Sequence, residues 1–353
     1  MGIDLSKLDA AFKQIDKEVG KDVGIDLENY DRIPRIKSES PLLNYITNGG
    51  YPRGQIIEIF GPESSGKSLI SQQIAASYQK EGEFVSYIDL EFSFEPDFAR
   101  SLGLDLSKEK FKLYQPSTAE EAFTIAESLS RAGVGIIVFD SVVGMVPSAE
   151  VEAGYGDQQM GLHARTMGKG LRKLAPILKK NDTTAIFVNQ IRSGLGMYTS
   201  PEQTPGGRAL KFYASLRLRV KKKEFLQKGG QEPYGILSEI EAKKSKIGPP
   251  LRKGELTILF ESGIDTTGEY IDFAIKYDII KKGGSWFTLP DKNETRLQGK
   301  DNVRQYYLKN PEEFEPVKKE VDKFFEFLSH TNVDEDNKEE VIEQTEEVLV
   351  EEE

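Results

Sequence analysis

An α/β fold built on a mostly parallel central sheet is what this 353-residue chain predicts, on three observations. Apolar runs of strand length alternate with helical patterns from about residue 34 to residue 260. One strand-to-helix junction carries Gly61-Pro62-Glu63-Ser64-Ser65-Gly66-Lys67-Ser68, which fits the pattern G-x-x-x-x-G-K-[ST]. Other strands end in a carboxylate or an amide, at the edge where open α/β sheets gather ligands.

Taken in order, residues 1–33 read as a detached helical element. Leu5, Leu8, Phe12, Ile15 and Val19 recur at three and four residues, until Gly20 ends the pattern. So short a helix makes no core alone, and its apolar stripe calls for a partner surface, either its own body or a second copy. Residues 34–264 form the core. Its expected strands are 56–60, 84–89, 135–140, 184–189, 215–220, 239–243 and 255–260, with helices at 69–80, 118–132 and 161–180. The last strands follow one another without long helices, as antiparallel hairpins closing one edge would. Residues 265–330 read as a small α/β unit: a helix near 268–281, a turn at Gly283-Gly284, a strand through Trp286-Phe287, and helices near 299–309 and 311–328.

Residues 331–353 are an acidic, disordered tail by composition. Of the net charge of −11, −10 falls in Asp334–Glu353, where eleven acidic residues face Lys338 alone; this leaves −1 for the rest. The body can therefore carry local basic surfaces, and the tail is either a solubilising segment or a polyanion competing for them. No run of roughly 18 apolar residues occurs, so no membrane span is expected. The chain opens without an export pattern and has no cysteine, which excludes disulfides, zinc knuckles and thiol catalysis and agrees with a cytoplasmic protein.

The glycine-rich junction fixes the chemistry. Backbone N–H groups of residues 61–68 converge on a polyphosphate at the start of a helix. Lys67 reaches the β/γ-phosphates and Ser68 offers a hydroxyl to Mg²⁺. The run 135–140 ends in Asp140, where a carboxylate supports the metal. Glu91 follows the strand ending in Asp89 and is the candidate base for a water attacking the γ-phosphate, with Asp89 itself or a purely structural role as the alternatives. The strand at 184–189 leads into Gln190, a γ-phosphate sensor joined to a long glycine-rich loop running from Arg192 to Gly207. That arrangement makes an order–disorder switch.

These elements together resemble the RecA recombinases of bacteria and their phages. The resemblance covers nearly the whole chain, through GPESSGKS at 61–68, YIDLEFSFEPDFARSLG at 87–103, VFDSVVGMVPSAEVE at 138–152, GDQQMGLHAR at 156–165, NQIR at 189–192 and GGRALKFYAS at 206–215. It implies a RecA-type core with a short N-terminal helix and a small C-terminal domain. ATP would be held by residues 61–68, with Mg²⁺ on Ser68 and Asp140, and Phe98 would stack on adenine unless it is a core residue. Catalysis would involve Lys67, Glu91 and Gln190, with Lys244 and Lys246 reaching a neighbouring subunit's ATP and Phe212 relaying the interface signal. DNA would be held by two loops, through Met160, Gly161, Arg165, Arg172, Arg192, Leu195, Met197, Gly206, Gly207 and Arg208. The partners implied are single-stranded DNA, homologous duplex and further copies of the chain. Glu239 and Glu241 depart from the family, standing where bacterial members carry basic residues. Two other classes use parts of this pattern: a RecA-fold motor (a ring helicase or KaiC-like ATPase), and a DNA-coating protein with a vestigial nucleotide site.

Overall fold

The computed structural model of the chain describes residues 5–19, 33–153, 161–191 and 204–330. The chain divides into two compact units, Met1–Pro34 and Arg35–Glu353. The first holds α1 (Leu5–Val19), on which Leu8, Phe12, Ile15 and Val19 recur at helical spacing.

The second unit opens with β1 (Arg35–Ile36), α2 (Pro41–Ile46) and β2 (Tyr51–Pro52), with β1 and β2 paired antiparallel. Ser40 caps α2 by accepting from the Leu43 N–H, and Pro41 stands at the first helical position, where no N–H is needed. There follow β3 (Ile56–Gly61), α3 (Lys67–Lys80), β4 (Val85–Asp89), α4 (Pro96–Ser101), β5 (Phe111–Tyr114), α5 (Ala119–Arg131), β6 (Ile136–Asp140), α6 (Ser148–Glu152), α7 (Leu162–Lys180) and β7 (Thr184–Gln190). After these come α8 (Ala209–Tyr213), β8 (Leu216–Leu226), β9 (Gly235–Ser245), β10 (Lys253–Leu259) and β11 (Gly263–Ile264).

Among the described residues the central sheet has nine strands in the order β11-β10-β9-β8-β3-β7-β6-β4-β5. The six from β8 to β5 run parallel, and β9, β10 and β11 finish the other edge antiparallel. Helices cover both faces, so β3, β4 and β6 are buried along their whole length. One apolar cluster joins α2, α3 and the C-terminal helices, and the other joins α5 and α7 around the stacked rings of Phe139 and Phe187, 4.3 Å apart. Because six strands are parallel, their carboxyl ends share one edge, and that edge carries residue 61, Asp89, Asp140 and Gln190.

The chain closes with α9 (Thr266–Lys276), the antiparallel strands β12 (Lys281–Gly283), β13 (Trp286–Thr288) and β14 (Arg296–Gln298), then α10 (Lys300–Lys309) and α11 (Pro311–His330). Several short elements lie outside what the sequence pattern predicts, among them β1, α2, β2, α6, α8 and β11, and two more, β5 and α4, flank the site. β5 is four residues at the sheet edge, too short to show alternation, and α4 is one turn and a half capped by Glu95. β8 also continues past Val220 through Lys221–Leu226, because its antiparallel pairing with β9 needs no buried face there. No helix among the described residues is long and apolar enough to cross a membrane.

Glu269 ties α9 to the N-terminus of α2: its Oε1 accepts from Ser40 Oγ at 2.8 Å and from the Leu42 N–H at 2.6 Å. Burial pushes its carboxyl up to about 8, against which the two donated hydrogen bonds work. The folded chain thus keeps a proton that the unfolded chain releases above its ordinary value of about 4.3. The stability from the protonated form is full below that value and is lost as pH rises towards 8. Glu269→Gln is therefore expected to leave the melting temperature nearly unchanged near pH 4. At pH 8.5 it should stabilise by something on the order of 2 kcal/mol. Melting curves at the two pH values check this, and a lower melting temperature for the variant at pH 8.5 contradicts it.

Candidate nucleotide site and its surroundings

The loop from Gly61 to Ser68 is shaped by backbone constraints that only its glycines meet. A Cβ on Gly61 would fall 1.9 Å from the Val220 carbonyl oxygen, so a side chain there would drive β3 and β8 apart. Gly66 caps α3 with φ of +95°, in the left-handed region, and a Cβ there would meet Ile258 Cδ1 at 2.7 Å. Ser64 is also left-handed, at φ of 54°. Ser65 is fully buried; its Oγ donates to the Pro62 carbonyl at 2.8 Å, and its own carbonyl accepts from Ser238 Oγ of β9 at 3.1 Å. The loop is thereby held rigid, with the N-terminus of α3 beneath it, the geometry that binds anions.

Lys67 folds over this loop, its Nζ donating to the Pro62 carbonyl at 2.6 Å. Only 7% of it is exposed. Burial lowers its pKa, while Asp140, Glu91 and Glu63 work in the opposite direction. An ammonium satisfied by a single carbonyl, inside a ring of carboxylates, is placed to take a polyanion. Pro62 and Glu63 form the exposed lip between the two glycines.

Asp140 ends β6 directly opposite Asp89 of β4. Tyr87 donates its hydroxyl to Asp140 Oδ2 at 2.6 Å. Burial raises the Asp140 pKa, hydrogen bonds from Tyr87 and Ser68 oppose that, and the Glu91 and Asp89 charges add to it. Ser68 and Asp140 are thus brought together. Asp89 is fully engaged elsewhere: its oxygens accept from the Ser93 and Phe94 N–H groups, at 3.2 and 3.1 Å, and from Gln115 Nε2 at 3.0 Å. It fixes the turn that carries Glu91. Glu91 is exposed, and one of its oxygens takes hydrogen bonds from Ser141 Oγ and, at 3.4 Å, from Gln190 Nε2. Glu91 and Gln190 come from strands separated by β6 in the sheet, yet their side chains meet over its edge.

Phe98 lies on α4, half-buried and packed against the first core cluster, with Glu95 accepting its N–H at 2.7 Å. Lys244 and Lys246 lie elsewhere. Lys244 Nζ donates to the carbonyls of Lys211 and Phe212, at 2.7 and 3.0 Å, and Lys246 Nζ to that of Phe212 at 3.4 Å. Both lysines thus grip the C-terminal end of α8, where carbonyls lack helical partners. They hold up the Phe212 side chain, 70% exposed. Partial burial, then the charges of Lys246 and Arg217, lower the Lys244 pKa. Ser238, on the same strand, touches the phosphate loop; Lys244 is six residues further on, about 20 Å along a strand rising ~3.3 Å per residue.

Of the residues assigned to DNA by resemblance, Met160, Arg192, Leu195 and Met197 lie outside the described residues, as does the acidic segment 331–353. The described ends of the two loops converge. Gly161 caps α7 in the left-handed region, and Arg165 and Arg172 stand exposed along that helix. Gly206 and Gly207 return the chain after β7, both left-handed, and a Cβ on them would meet Val142 Cγ1 at 3.0 Å and Ala164 Cβ at 2.8 Å. Arg208 follows, exposed.

Sequence reasoning passes over three participants. Tyr87 and Ser141 orient the two acidic residues, and neither has a signal beyond its place beside one of them. Glu58 has a signal, a lone charge in the apolar run Ile56–Phe60. It is fully buried, accepting from Asn189 Nδ2 at 2.9 Å and paired with Arg217 of β8.

The family model of the RecA N-terminal domain matches residues 6–265, and that of the RecA C-terminal domain matches residues 268–326. Protein RecA of Halalkalibacterium halodurans is 41% identical over 320 residues, which is 89% of this chain and 90% of that protein. Protein RecA of Staphylococcus aureus (strain JH9) is 42% identical over 323 residues, 90% of each chain. A crystal structure of the RadB recombinase aligns with a TM-score of 0.49 and 22% identity over 64% of this chain and 97% of that one.

Proposed function

Because this chain belongs to the RecA family of recombinases, DNA-dependent ATPases of recombination and repair, we propose that it works in the cytoplasm as a helical polymer on single-stranded DNA. In that polymer each ATP is cradled by one subunit and completed by the next. The observation that carries this reading is the placement of Lys244 and Lys246, beyond reach of their own phosphate loop yet presented beside an exposed Phe212. A head-to-tail contact that repeats one surface against a different one builds an open helix when its rotation does not close into a ring.

In this reading residues 61–68 hold the triphosphate through backbone N–H groups and Lys67. Mg²⁺, when bound, would supply charge neutralisation to the polyphosphate. Ser68 and Asp140 are the side chains that would hold it. Among the described residues no three histidines or acidic residues gather as a metal cage, which suits an ion that keeps waters and phosphate oxygens as ligands. Glu91, held by Ser141 and Gln190, orients and deprotonates the attacking water. Asp89 has no free oxygen for that task. Gln190 has two stations, the γ-phosphate and Glu91, and it leads into the second loop. Loss of the γ-phosphate therefore frees Gln190 and slackens the loop's hold on DNA. Phe98 borders the site from α4 as an adenine platform. Gly161, Arg165, Arg172, Gly206, Gly207 and Arg208, with the loop residues between them, hold the strand by its phosphates, which fixes register without reading sequence. Homologous duplex is then paired with the held strand.

The test is to image the protein with single-stranded DNA and a non-hydrolysable ATP analogue while assaying joint-molecule formation. Helical filaments together with joint molecules are expected. Rings that unwind a fork without forming joint molecules support the motor reading instead.

A further inference from the structure

Glu58 is a carboxylate with no exposed surface, in the middle of β3. Burying a charge is costly, and a buried ion pair is weak evidence of a stabilising role, because an apolar pair of similar volume often serves stability better. Its two oxygens face in two directions. Oε1 accepts from Asn189 Nδ2 at 2.9 Å, and the same amide nitrogen donates to the Pro205 carbonyl at 3.2 Å, at the point where the second loop rejoins the fold. Asn189 Oδ1 in turn accepts the Gln190 N–H at 2.9 Å. Oε2 takes the Arg217 Nε. The Arg217 guanidinium lies 4.3 Å over the Phe60 ring, and Arg217 is the β8 residue paired with Lys244 of β9.

We infer that Glu58 is a positioning residue that ties Gln190 and the base of the second loop, on one side, to the cross-subunit lysine Lys244 on the other. The inference rests on the roles proposed above for Gln190 and Lys244. The Asn189 amide is shared between a fixed acceptor inside the sheet and a carbonyl in the loop, so a pull on Gln190 changes how firmly Pro205 is held. On the other side, Arg217 and Lys244 are two paired cations on adjacent strands, and Glu58, on the far side of Arg217, is the buried anion whose charge offsets their repulsion. Without its charge they repel, and Lys244 loosens from the Phe212 carbonyl. One side chain thus connects what the nucleotide does to what the loop and the neighbouring subunit feel, through contacts that are all in place in a single subunit.

The test compares wild type with Glu58→Gln, a near-isosteric change that keeps an acceptor for Asn189 and removes the charge. Binding of a labelled oligothymidylate is measured by anisotropy, once with a non-hydrolysable ATP analogue and once with ADP, and the ratio of the two affinities is the readout. Affinity for a fluorescent ATP analogue without DNA is measured alongside. The variant is expected to lose about ten-fold or more of the wild-type ratio, within the usual range of coupling energies, with its DNA-free nucleotide affinity changed less than about two-fold. A purely structural role would lower both together. Retention of the full ratio by Glu58→Gln overturns the inference. Should that variant fail to fold, Arg217→Lys keeps the charge and loses the planar fork. A reduced ratio in it supports the assignment, and an unchanged one overturns it. If wild type itself shows no difference between the two nucleotides, the proposed function fails, and the role of Glu58 fails with it.

Discussion

Lys67→Ala is expected to lower DNA-stimulated ATP hydrolysis by about 10²–10³-fold, the loss typical of removing one preorganised donor from a developing charge. The side chain is nearly sealed from water, and among the described residues its hydrogen bond is to the loop's own carbonyl. Lys244 of the same subunit does not take its place, since its Nζ is committed to α8. The variant should still fold, since the loop is also held by Ser65 and by its contact with Ser238. Phosphate release in the presence of single-stranded DNA measures the effect, and joint-molecule formation should fall with it. Full strand pairing by Lys67→Ala would instead point to a DNA-coating protein with a vestigial nucleotide site.

Lys244→Ala should lose as much by a different route. A cation delivered in trans to a transferring phosphoryl group contributes about 10³-fold or more. Within its own subunit this lysine's Nζ donates to the α8 carbonyls of Lys211 and Phe212. The variant should therefore bind a fluorescent ATP analogue with wild-type affinity as a free subunit and yet fail to hydrolyse ATP on DNA. Truncation also releases the Lys211 and Phe212 carbonyls, so filaments should form at higher protein concentration. Weakened ATP binding by the isolated variant would mean that Lys244 serves its own subunit's site, against the geometry of β9.

The glycine-rich junction and the strand-end carboxylates proposed for the site were legible in the sequence because each obeys a local rule. Gly61 and Gly66 occupy positions that exclude a Cβ, Lys67 and Ser68 open a helix, and Asp140 ends an apolar strand. The preference for Glu91 over Asp89 also draws on contacts that are not local: Gln115 and two backbone N–H groups hold Asp89, and Gln115 reaches it across the β4–β5 edge, which the pattern did not reveal because β5 is only Phe-Lys-Leu-Tyr. Long-range partners were equally hidden. Glu58 meets Arg217 159 residues away, and Glu269 meets Ser40 across 229. The one trace of either was an acidic residue in an otherwise apolar run. The expected strand stops at residue 220, yet β8 runs on through Lys221–Glu224 to Leu226, because one pairing partner, not a buried face, sustains it.

The claim on which the mechanism turns is that each nucleotide site is built from two subunits. Lys67→Ala and Lys244→Ala subunits, each inactive alone, can be mixed in equal amounts on single-stranded DNA and their ATP turnover measured. In a head-to-tail polymer of random order, about one interface in four joins an intact phosphate loop to an intact Lys244, so roughly a quarter of wild-type turnover should return. Mixed filaments that remain as inactive as either parent would contradict a shared site.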